Sequence, residues 1–178
     1  MRRAWMAGGL LATLSLITFA GRAALAQDPG AHGVPGGGKQ VYQRANCVGC
    51  HKWHGDGGGG YGGDALSLRK SELTRDQIIE VLRCGRPGTG MPYHQRGAYD
   101  GDGCYGMTRA DVGKDMPIEG KVFLRPAEIE AVTDYVIANL QHRGEPTYAD
   151  CEAFFGAGAR TCNVYKSADA APGSGGTE

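Results

Sequence analysis

The feature that most constrains this chain of 178 residues is the run Cys47-Val48-Gly49-Cys50-His51. Two cysteines two residues apart, followed at once by histidine, have the spacing at which two thioethers form to the vinyl groups of one haem while the imidazole reaches its iron. A chain fixed to a flat ring at three neighbouring points must fold around that ring. Two other chemistries use paired cysteines. A redox-active dithiol is expected beside a βαβ pattern, and no strand pattern is visible here. Zinc would need a second Cys or His pair at matching spacing, and Cys84, Cys104, Cys151 and Cys162 do not supply one. One covalent haem c, held by Cys47 and Cys50 with His51 as iron ligand, is therefore the expectation.

The chain also opens in a way that suits attachment outside the cytoplasm. Arg2 and Arg3 precede an uncharged, mostly apolar stretch from Ala4 to Gly21, and Ala24-Leu25-Ala26 forms a small-x-small cleavage site. Residues 1–26 read as an export signal. The alternative is a membrane anchor, because a spanning helix needs only about 20 apolar residues. Gly8, Gly9 and Arg22 weaken that reading. Cleavage near Ala26 would remove three arginines, so the 19 basic residues become 16 against 19 acidic ones, a formal charge of −3. Nucleic acid and anionic membrane surfaces are excluded as expected partners, since both need a clustered basic face. No later apolar run is long enough to span a bilayer, so a periplasmic protein without a membrane span is expected. In such a compartment Cys84, Cys104, Cys151 and Cys162 should be oxidised. Four cysteines allow three pairings. Proximity favours Cys84 with Cys104 and Cys151 with Cys162.

The remaining pattern is helical. Residues 27–37, rich in Gly and Pro, form a flexible leader. Val41, Tyr42 and Ala45 fall at helical spacing and run into Cys47, giving a short helix over 38–46. Glycine dominates 55–63, which must be a loop. Thr74 and Gln77 form a capping box ahead of Ile78, Ile79, Val81 and Leu82, so a second helix ends before Gly85. Residues 85–125 show no sustained periodicity and are expected to be irregular. Pro126 suits the first turn of a helix whose apolar face is Ile129, Val132, Tyr135, Val136 and Leu140, closed by Gly144. Residues 144–165 form a compact cysteine-bearing extension, and 166–178 a disordered tail. The class is all-α: a small helical domain over 38–143 with long loops, carrying a disulfide-stapled insertion at 92–125.

Taken together, Gly38-Lys39-x-x-Tyr42 before the motif, the glycine-rich loop after it, Gly88-Thr89-Gly90-Met91-Pro92 and the final helix with Tyr135 resemble the class I c-type cytochrome family over roughly residues 38–140. The resemblance implies that the first and last helices cross at Gly38, with Tyr42 and Tyr135 packing there. It also implies a backbone carbonyl that holds the proximal imidazole, from a loop that usually reads Gly-Pro-x-Leu. Here that run is Gly63-Asp64-Ala65-Leu66, without proline. The sixth ligand implied is Met91, directly after the second helix. Met116, in Lys-Asp-Met-Pro, is an alternative, as are His94, His54 or an open site. His94 is expected on the surface beside the haem edge.

An imidazole opposite a thioether fills both axial positions of the iron and favours single-electron exchange. The expected function is an electron carrier rather than an enzyme, with a dehydrogenase as donor, a quinoprotein among the candidates, and an oxidase or another cytochrome as acceptor. The competing classes are a haem whose open sixth position binds a small ligand, and a cytochrome subunit held tightly in a dehydrogenase complex.

Overall fold

The structure, a computed structural model, describes residues 37–60 and 63–166. The expected export signal, all but the last residue of the leader, and the tail from 167 onward lie outside the described residues. The elements run α1 (Gly37–Arg44), α2 (Cys47–His51), α3 (Arg75–Cys84), α4 (Arg109–Val112), a 3-10 turn (Gly113–Asp115), α5 (Pro126–Asn139), α6 (Tyr148–Phe155) and a second 3-10 segment (Arg160–Tyr165). Among the described residues only isolated bridges form, and no strand. The all-α expectation holds.

Helices α1 and α5 cross and form the most extensive helix pair of the fold. The crossing is close because Gly38 has no side chain: a Cβ there would fall on the Ala131 carbonyl and on Cβ of Tyr135. Tyr42 and Tyr135 pack beside it with ring centroids 5.5 Å apart. Val41, Tyr42, Ile129, Val132 and Val136 are buried in this contact, and each such side chain removed from water contributes roughly 1.5–3 kcal/mol. Helix α3 packs on α5 through Ile78 and Leu82. Its start is the capping box read from the sequence: the Thr74 hydroxyl accepts from the Gln77 amide, and the Gln77 side chain accepts from the Thr74 amide.

Three expectations need correction. The segment 85–125 is not wholly irregular. It contains α4, opened by a capping box in which Thr108 and Asp111 satisfy each other's amides. Four residues are too few to show a period. Helix α5 stops at Asn139, with Leu140 as its cap, and Gly144 does not close it. The reversal is made by His142, at φ 55°, whose amide donates to the Arg69 carbonyl. A tertiary hydrogen bond thus takes over the role expected of a glycine. Third, His94 is not on the surface: it is 2% exposed.

Both favoured cysteine pairs are present as disulfides. Cys84–Cys104 ties the insertion to the end of α3, and Cys151–Cys162 ties α6 to the 3-10 segment behind it. A second small core, of Tyr93, Ala98, Tyr99 and Val112, forms around the first of these.

Candidate haem site

The Cys47–His51 motif forms one short helix, α2, between two residues at positive φ, Asn46 at φ 63° in the left-handed helical region and Lys52 at φ 60° with an extended ψ. Such conformations are uncommon outside glycine and concentrate where a site is held in an imposed geometry. They bend the chain sharply at both ends of the motif, so α2 stands apart from α1. The hydroxyl of Tyr42 donates to the Lys52 carbonyl at 2.8 Å, fixing the far end of the motif to the helix crossing.

The glycine loop then folds back over the motif. The Gly57 amide donates to the His51 carbonyl and the Gly58 amide to the Ala65 carbonyl. At Gly57 the backbone is at φ 64°, and a Cβ would strike the Ala65 carbonyl. Here the glycine is required both by conformation and by close approach. This return brings the Leu66 carbonyl to Nδ1 of His51, 3.2 Å away. A carbonyl can only accept, so Nδ1 carries the proton and Nε2 keeps its lone pair. Burial pushes the pKa of His51 down, against the Leu66 hydrogen bond, so the ring is neutral at neutral pH, the form that binds a metal. The run Gly63-Asp64-Ala65-Leu66 therefore supplies the carbonyl without the proline.

Cys47 and Cys50 are free thiols beside this histidine. Burial pushes the Cys47 thiol up to about 12.

Met91 is placed by the end of α3. Gly85, at φ 66°, lets the chain turn so tightly that a Cβ would lie 2.7 Å from the Met91 carbonyl. The Arg86 amide donates to that carbonyl, and the Met91 amide donates to the Thr89 hydroxyl. Cys47, Cys50, His51 and Met91 all line one cavity of about 960 Å³, a volume in the range that encloses a cofactor. Its wall is mainly apolar, with Leu68, Ile78, Leu82, Val132 and Val136, and it carries Lys70, Arg86 and Lys121 together with Asp64 and Glu119. The residues present fit a haem: two thiols and a lone-pair imidazole at one end, a thioether on the wall, apolar sides for the ring and cations available for its carboxylates.

Two of the other candidates fall elsewhere. Met116 packs against the second small core and does not line the cavity. His54 lies outside it too, its Nδ1 bound to the Asp56 amide. His94 does line the wall, with Nδ1 donating to the Val122 carbonyl at 2.9 Å. Sequence reasoning missed that Ile118, Glu119, Gly120 and Lys121, from the far end of the insertion, also form the wall. No local signal marks them, because pairing with residues 93–94 brings them there.

Neither the curated proteins nor the solved structures include a match to this chain. Among family models, residues 35–104 match Cytochrome C oxidase, cbb3-type, subunit III, which is a c-type cytochrome family. The matched segment is less than half of the chain, and α5 and the C-terminal extension fall outside it. It does contain Cys47, Cys50, His51 and Met91, and over residues 35–104 the resemblance to c-type cytochromes is borne out.

Proposed function

We propose that the chain is a periplasmic monohaem cytochrome c that passes single electrons between protein partners. The observation that carries this reading is the convergence of Cys47, Cys50, His51 and Met91 on one cavity, with the His51 tautomer set by the Leu66 carbonyl. Cys47 and Cys50 would hold the ring covalently, and His51 and Met91 would supply nitrogen and sulfur to its iron. Bound there, the haem would supply one-electron redox chemistry. The chain's part is to fix the ligands. The Leu66 carbonyl orients His51 and strengthens it as a donor; the Gly85 turn and Thr89 present Met91. The mainly apolar wall would limit water at the ring. A dehydrogenase, a quinoprotein among the candidates, is the proposed donor, and an oxidase or another cytochrome the acceptor. Export delivers the chain to the compartment where such partners exchange electrons.

The test is the optical spectrum of the exported protein. Covalent haem should survive denaturation, and the oxidised protein should show the weak far-red band of methionine-ligated haem. Met91→Leu should abolish that band and let the reduced protein bind carbon monoxide, while Met116→Leu leaves both properties as in the parent. Rapid, complete carbon monoxide binding by the parent protein would overturn the electron-carrier reading.

A further inference from the structure

The insertion is joined to the Met91 loop by an unusually dense set of hydrogen bonds for a segment without a strand. The Tyr93 amide donates to the Ile118 carbonyl and the Gly120 amide to the Tyr93 carbonyl. The Leu124 amide donates to the His94 carbonyl, and the His94 amide donates to the Leu82 carbonyl of α3. Nδ1 of His94 donates to Val122. On the other side of Met91, the Gly88 amide donates to the Asp115 carbonyl at 2.7 Å. Tyr99 and Tyr105 donate their hydroxyls to the carbonyls of Cys84 and Gly85, where the loop leaves α3.

His94 is the node of this set. Among the described residues it is bonded at once to α3 and to the returning end of the insertion, and its side chain is buried and lines the cavity wall. The ring lies against Gly120, where a Cβ would collide with Nδ1. From this geometry we infer that His94 is a positioning residue for Met91: its Nδ1–H bond to Val122 clamps the loop three residues beyond the sulfur and suppresses release of that sulfur from the iron. The inference rests on the proposed haem reading and deepens it.

An outside ligand can take the sixth position only in the fraction of molecules whose methionine has let go, so its apparent affinity measures that fraction. The probe is imidazole, titrated into the oxidised holoprotein. His94→Leu should bind imidazole about tenfold tighter than the parent. His94→Asn, whose amide can still donate to Val122, should stay within about twofold of the parent. If His94→Leu does not accumulate with haem, Gly120→Ala supplies the same test, because the added methyl displaces the ring from its carbonyl. Equal imidazole affinity in the parent and in whichever of these two variants is measured would overturn the inference, as would His94→Asn behaving like His94→Leu. Failure of the underlying reading looks different: the parent itself would lack the far-red band and take up imidazole without competition.

Discussion

Residues 92–125 and residues 144–165 are each stapled by one disulfide, and each contains a short helix opened by a Thr-x-x-Asp capping box. Only the first reaches the cavity, through His94, Ile118, Glu119, Gly120 and Lys121. The extension lies behind the motif. Phe154, Phe155 and Tyr165 surround Trp53, and Lys39 of α1 donates to the carbonyls of Ala153 and Phe154. None of its residues lines the cavity wall. The same covalent device thus stabilises two segments poor in core, and what each segment does depends on the face of the helix pair it covers.

The largest expected effect tests the extension as a purely structural element. Phe154 is buried in the main core, so Phe154→Ala should cost about 3–5 kcal/mol of stability. The far-red band of the folded protein should be unchanged. A band lost in step with stability would mean that the extension also acts on the ligands.

The disulfides separate the two regions more finely. Their sequence separations are 20 and 11. Loop-closure entropy gives about 3 kcal/mol for each, with a difference of only about 0.5 kcal/mol. Cys84→Ala/Cys104→Ala and Cys151→Ala/Cys162→Ala should therefore lower the denaturation midpoint by similar amounts. Imidazole affinity of the oxidised protein should rise only in the first pair, which frees the insertion from α3. Equal affinities in the two double variants would erase the functional contrast between the regions.

The contrast also marks what could be read from the sequence. The motif, the α3 capping box and Pro126 at the start of α5 are local signals, each made by residues a few positions apart, whereas the glycine at the helix crossing is legible only through the family resemblance. The burial of His94 is not local. It depends on residues 93–94 pairing with 118–124, and a histidine in a segment without periodicity gives no sign of that pairing. Helix α4 is an intermediate case: Thr108 and Asp111 stand at capping-box spacing, but four residues give no apolar stripe to confirm it. Met91 and Met116 both precede proline; the resemblance favours Met91, and the fold places it on the cavity wall and Met116 against the second core.

The smallest expected effect is on the acid side, where both regions respond through a carboxylate of their short helices. The Thr108 hydroxyl and amide hold the Asp111 carboxyl below its usual range, and the Gly158 amide and Tyr148 hydroxyl do the same for Glu152. A carboxylate held down in the folded state adds stability above its unfolded value and loses it as pH falls toward the lower folded one. Below about pH 4, amide exchange should therefore quicken in α4 and α6 before the main core opens. Asp111→Asn should remove the pH dependence in α4 and leave that of α6, and Glu152→Gln should do the reverse. Because α4 runs into the turn whose Asp115 carbonyl receives the Gly88 amide, acid fraying of α4 should also weaken the far-red band, and fraying of α6 should not. A band that weakens equally in both variants would show that acid acts on the ligands by a route independent of the insertion.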